Sequence, residues 1–181
     1  MGDFMEEIFN SLTQLIKEHN SILIMTHRNP DFDGMGSALG LQQIINSFKK
    51  ESYICINNSE KNSSLKKSYD LIKENNLYFN TVKKTNVEKL INDDTLLIIL
   101  DTHKKEMTEI PELVDKVKNI IVIDHHIKSK DHINDITLSY INSGLSSTVE
   151  FMANYIKYLN KQIDPLFATF MLVGLEIDTN N

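Results

Sequence analysis

Three short, unbroken apolar runs, ILIM at 22–25, LLIIL at 96–100 and IIVI at 120–123, leave this chain little choice of fold. Each falls far short of the ~18 residues that cross a bilayer, and none alternates as a half-exposed strand does. Continuous runs of this length mark strands buried on both faces, the habit of parallel sheets. Helical spacing appears between them. Phe4, Ile8, Leu12, Leu15 and Ile16 share one helical face ahead of the first run. Residues 34–50, 64–75 and a short stretch at 111–118 opened by Pro111 read as helices, and SYICIN at 52–57 as a further strand. Gly144 and two serines introduce another helical pattern, and Asp164 with Pro165 supply N-cap and first turn of a last one. The pattern predicts an α/β fold, a mostly parallel central sheet flanked by helices in a Rossmann-like three-layer arrangement.

Composition bears on environment and partners. With 41% hydrophobic and 24% charged residues, the chain has the apolar content of one packed domain. The acids in MGDFMEEIFN oppose a signal peptide, which predicts a cytoplasmic domain. The chain ends at EIDTNN directly after an apolar stretch, so residues 1–181 are expected to be a domain cut from a longer protein. A net charge of −6 argues against a groove for long nucleic acid, while leaving room for a small anionic substrate held by cations. The lysine pairs in FKKES, LKKSY and VKKTN read as a solvated face. One cysteine, Cys55, excludes an internal disulfide and a thiolate cage, so any metal must be held by oxygen and nitrogen.

All three runs end in chemistry. The first leads into His27, the second into Asp101 and the third into Asp124, His125 and His126. In an open parallel sheet the carboxyl ends of the strands border one crevice, so these groups are expected to converge. Pro30 disfavours a helical Asn29, which predicts an irregular loop from His27 to Asp33 carrying Asp31 and Asp33. Gly34 and Gly36 allow close backbone approach, and Ser37 is expected where a helix begins, offering N–H groups to an anion. Singly these residues have plainer readings: Asp33 as an N-cap, His27 as a satisfied histidine, Asp124 as a backbone partner. Two lone histidines carry no chemistry, His19 as a helix-dipole partner and His132 in a polar loop. Several carboxylates in one crevice repel each other unless cations compensate them. Imidazole with carboxylate suits manganese, magnesium, iron or zinc, and the number of acids exceeds the need of one ion. Two ions sharing a carboxylate form a phosphoester-cleaving arrangement.

In order, HRNPDFDGMGS, the aspartate of ILDTH, DHH at 124–126 and GLEIDTNN resemble the four motifs of the DHH phosphoesterase family, over nearly the whole chain. The resemblance implies a two-ion site, usually manganese. His27 and Asp31 would hold one ion, Asp33, His125 and Asp178 the other, and Asp101 would bridge them. It further implies that His126 touches the substrate phosphate and that Asp124 supports the site by hydrogen bonding. Ser146 and Ser147 would shape the site, or simply cap a helix. DTHKKEM resembles the cyclic-di-AMP phosphodiesterases of the GdpP type, which would set His103 and Lys104 near the phosphates. The expected partner is a small nucleotide, a cyclic dinucleotide or very short oligonucleotide, and a homodimer is possible. Alternatives are an oligoribonuclease, a single-strand exonuclease of the RecJ type, a family II pyrophosphatase, or a nucleotide-binding module that has lost hydrolysis. The family's second, C-terminal substrate domain and the membrane segments of the GdpP type have no counterpart in this chain, so it reads either as the catalytic domain of a larger protein, one that the GdpP resemblance allows to be membrane-anchored, or as a degenerate stand-alone version.

Overall fold

A computed structural model of the chain describes residues 2–57, 63–75, 77 and 79–179. Helix α1 (Gly2–Glu18) leads into strand β1 (Ser21–Met25), followed by α2 (Phe32–Ser47), β2 (Ser52–Ile56), α3 (Ser63–Glu74), β3 (Thr81–Lys83) and the single turn α4 (Lys84–Val87). Then come β4 (Thr95–Leu100), β5 (Asn119–Asp124), β6 (Leu138–Ile141), α5 (Thr148–Tyr158) and α6 (Pro165–Thr179). The strands form one sheet in the order β3-β2-β1-β4-β5-β6, with every pairing parallel.

Both faces of the central strands are buried, which explains the unbroken apolar runs. Ile22, Ile24, Leu96, Ile98, Leu100, Ile121 and Ile123 point to a core shared with α1, α2, α3, α5 and α6. Their neighbours Leu23, Met25, Leu97, Ile99, Ile120 and Val122 point to the opposite core, with Val87 of α4, Ile110 and Leu113. Each buried aliphatic side chain stabilises the fold by about 1.5–3 kcal/mol relative to exposure. The two faces are covered unequally: five helices pack on one, and α4 with short 3₁₀ turns on the other. Among the described residues no helix is long and apolar enough to cross a membrane.

Several sequence expectations change in detail. Residues 111–118 hold one 3₁₀ turn, Pro111–Leu113, rather than a helix. Strands β3 and β6 were not signalled by apolar runs: each lies at a sheet edge and is only partly buried. On α1, Phe4 is 60% exposed and Phe9 takes its place in the core. The expected loop from His27 to Asp33 is shorter, because α2 begins at Phe32. Ser37 is therefore buried inside the helix, not at its start. His19 ends α1 with its ring Nδ1 2.8 Å from the Leu15 carbonyl, as a dipole partner should.

Candidate metal centre

The chain adds β2 and β3 on one side of β1, then returns to add β4, β5 and β6 on the other. The crevice of such a sheet opens at that reversal, between the carboxyl ends of β1 and β4. His27 follows β1, Asp101 follows β4, and Asp124 ends β5 ahead of His125 and His126. Asp31 is the N-cap of α2, its Oδ1 accepting from Gly34 N at 3.0 Å, and Asp33 sits in the first turn. Asp178 reaches the same place from the last turn of α6. A cleft of about 660 Å³ is lined by these groups, with Asp33 buried behind them. That volume suits a small-molecule ligand.

The cleft gathers two trios that meet at Asp101, which belongs to the first and faces the histidine of the second. His27 Nε2 lies 3.4 Å from Asp101 Oδ2 and 3.6 Å from Asp31 Oδ1. His125 Nε2 lies 3.4 Å from Asp101 Oδ1, 3.6 Å from Asp178 Oδ2 and 3.8 Å from Asp33 Oδ2. Within each of the sets His27–Asp31–Asp101 and Asp33–His125–Asp178, the candidate ligand atoms lie within 4.8 Å of one another. These separations exceed hydrogen-bond length, but they are near the roughly 3.0–3.5 Å between ligand atoms bound at ~2.1 Å to one divalent ion. Asp101 faces both sets because its backbone is held at φ 62, a left-handed conformation rare for a side chain with a Cβ. Its N–H is fixed by the Ile123 carbonyl at 2.9 Å.

Glycine lets α2 approach this closely. A Cβ on Gly34 would stand 3.3 Å from both Asp101 Oδ2 and His27 Nε2. Gly36 and Gly174 do the same between helices: their added Cβ atoms would meet Met171 Cα at 3.2 Å and the Phe32 carbonyl oxygen at 2.6 Å. Helix α6, with Asp178, therefore rests directly on the backbone of α2.

The carboxylate charge in the cleft is offset only in part, by protons on the neighbouring histidines. Burial, then the charge of Asp101, raises Asp33 to about 7 even though the Thr148 and Val149 amides both donate to it at 2.8 Å. Burial, with Asp31 and Asp101 nearby, also raises Asp178. Burial tends to lower His27, yet the Asp101 and Asp31 carboxylates raise it to about 10. Asp101 does the same to His125, which is raised to about 9. Burial opposes ionisation of Asp101 and Asp31, but the neighbouring histidines hold both carboxyls below their ordinary value. His27 Nδ1 sits 3.0 Å from the Arg28 carbonyl, which can only accept, so Nδ1 carries the proton and Nε2 turns its lone pair toward two carboxylates. That arrangement is repulsive unless a proton or a cation lies between them, and a hard divalent cation fits the oxygen and imidazole donors.

Behind the trios runs a hydrogen-bonded chain. Ser129 N donates to His103 Nε2 at 3.0 Å, so His103 Nδ1 carries the proton and donates to Asp124 Oδ2 at 2.5 Å. Asp124 Oδ1 accepts from His126 N at 3.1 Å and from His126 Nδ1 at 2.7 Å. Although burial opposes it, these donors keep Asp124 ionised, and Asp124 in turn raises His126. With Nδ1 held, His126 directs Nε2 into the cleft, its side chain 56% exposed. His103 and Lys104 both line the cleft, but His103 is 1% exposed with both nitrogens engaged, so it braces Asp124. Ser146 and Ser147 belong to the cap of α5: Ser147 Oγ accepts from Glu150 N, and Ser146 donates to the Glu150 carboxylate. Sequence reasoning missed Thr148, whose hydroxyl donates to Asp101 Oδ1 at 3.1 Å while its N–H serves Asp33. Its one signal was its place just after the capping serines.

Known proteins resemble this chain in sequence and in fold. The cyclic-di-AMP phosphodiesterase GdpP of Bacillus subtilis (strain 168) is 32% identical over 177 residues, covering 96% of this chain. The chain spans 27% of that relative's length. Among solved structures, an exopolyphosphatase-related protein from Bacteroides fragilis superposes with a TM-score of 0.74 at 22% identity, covering 97% of this chain and 51% of that one. Exonuclease RecJ bound to manganese superposes at 0.56 with 15% identity, covering 96% and 43%. The family described as "DHH family, N-terminal domain" matches residues 21–175, so the chain belongs to the DHH family.

Proposed function

We propose that this domain hydrolyses a phosphodiester bond of a cyclic dinucleotide, cyclic-di-AMP in particular, with two divalent cations, manganese first among them. The observation that carries the reading is Asp101, one oxygen facing His27 and the other His125. In this scheme His27 and Asp31 hold one ion, Asp33, His125 and Asp178 the other, and Asp101 serves both. The fold likeness to a manganese-bound exonuclease and the 32% identity to a cyclic-di-AMP phosphodiesterase support the choice of metal and substrate. Bound there, a divalent pair supplies Lewis acidity, acidifying water and offsetting phosphate charge. His126 donates from Nε2 to a non-bridging phosphate oxygen, where negative charge grows as phosphorus is attacked. Asp124 and His103 keep that donor aimed, and Lys104 adds a cation at the rim.

The test is hydrolysis of cyclic-di-AMP beside the linear dinucleotide pApA, with manganese and then with chelator, products separated by chromatography. Manganese-dependent opening of the cyclic substrate is expected. Cleavage of the linear dinucleotide alone would replace this reading with an oligoribonuclease. Two bound ions with no cleavage of either would make the domain a catalytic part that requires further chain to hold its substrate.

A further inference from the structure

Glu109 is an acid that the scheme above does not use. It is 4% exposed, and hydrogen bonds to three separate backbone groups help to fix it. Its backbone N–H donates to the Thr26 carbonyl at 2.9 Å, its Oε2 accepts from Asn29 N at 3.2 Å, and its Oε1 accepts from Asn57 N at 2.7 Å. A bridge between His27 and Thr108, and a bond from Arg28 N to the Met107 carbonyl at 2.7 Å, zip the same two segments together. One residue thus grips both ends of the tetrapeptide Thr26–Asn29 and ties it to the end of β2.

That tetrapeptide contains His27, and Asp31 follows two residues after it. Asn29 is held at φ 53, left-handed backbone that asparagine tolerates and that the bond from its N–H to Glu109 helps to keep. A carboxylate suits the task because two N–H groups converge on it, one per oxygen. An amide has one acceptor oxygen, so glutamine must turn its NH₂ toward one of the two donors. The other trio is anchored elsewhere: Asp33 by the amides of α5, Asp178 by α6, His125 by the end of β5.

We infer that Glu109 is a positioning residue for the His27–Asp31–Asp101 subsite, and for that subsite alone. The inference rests on the reading of the two trios as cation sites. Its test is a manganese titration of the whole chain followed by electron paramagnetic resonance of free ion, which gives stoichiometry and both affinities without any turnover. Wild type is expected to bind two ions; E109Q is expected to keep one affinity and lose about 10- to 100-fold in the other. The weakened site is identified by H27A, which abolishes it, so that adding E109Q to H27A changes nothing further. If E109Q fails to fold, E109D, which keeps the charge one methylene shorter, is titrated instead and the same one-sided loss is expected. Two unchanged affinities, or two equally weakened ones, overturn the inference while leaving the metal reading intact. Wild type binding fewer than two ions overturns the metal reading and the inference with it.

Discussion

The two trios that meet at Asp101 are built from different materials. His27 and Asp31 ride on the segment between β1 and α2, held in place by the strip 104–109 that pairs with it. Asp33 and Asp178 ride on helices that touch backbone to backbone, with Asp33 also bonded to the first amides of α5. The first set depends on hydrogen bonds to one neighbouring strip, the second on the contact of three helices. A mutation can therefore damage one set and spare the other, and only the residue common to both should damage both.

Asp101→Asn tests that common residue and should have the largest effect. Loss of the charge facing both imidazoles is expected to lower turnover by about 10³-fold with manganese present, with far-ultraviolet circular dichroism unchanged. Turnover within tenfold of wild type would mean the two trios work independently.

A change of pH reads the histidine of each trio. In metal-free protein His27 and His125 are raised to about 10 and about 9, above the 6.5 of the unfolded chain. The folded state then binds more protons than the unfolded one between 6.5 and those values, so the stabilisation is complete below 6.5 and disappears as pH rises through 9 and 10. Melting in the presence of chelator is expected to drop by ~5 °C or more between pH 6.5 and 10, and saturating manganese should largely remove the drop. A flat profile in chelator would refute the charge assignment.

Two glycines give the smallest effects and sharpen the helical half. On Gly174 a Cβ meets the Phe32 carbonyl at 2.6 Å and Asp33 Cα at 2.9 Å, backbone that cannot turn aside. Gly174→Ala should cost about 1–2 kcal/mol even after the helix-propensity gain, read by denaturant unfolding. On Gly40 the Cβ meets the thioether end of Met171 at 2.7 Å, which can swing away, so Gly40→Ala should stay within about 0.5 kcal/mol of wild type. Equal effects would show that α6 is free to shift on α2.

Much of this was legible in the sequence, and the exceptions share a cause. Strands β1, β4 and β5 announce themselves because burial on both faces demands apolar residues at every position. The acids at their ends could be placed on one rim for the same reason. Edge strands β3 and β6 meet no such demand: Thr81–Lys83 buries one residue of three, and Leu138–Ile141 one of four. The start of α2 was hidden by Pro30, which predicts a loop as far as Asp33. Tertiary contact decides otherwise: the helix begins at Phe32, and its Gly34 and Gly36 meet His27, Asp101 and Met171. Thr148 and Glu109 act through contacts 47 and 80 residues away in sequence, and no local pattern records such a partner.

The docking of α6 on α2 also sets a timetable. His27 and Asp178 are about 150 residues apart, and the second trio is incomplete until the last helix comes down on the first turn of α2. Contacts that distant carry a large loop-closure cost. On the ribosome the chain would thus emerge with its acids and imidazoles held apart, and the centre could close only once α6 has emerged to meet α2.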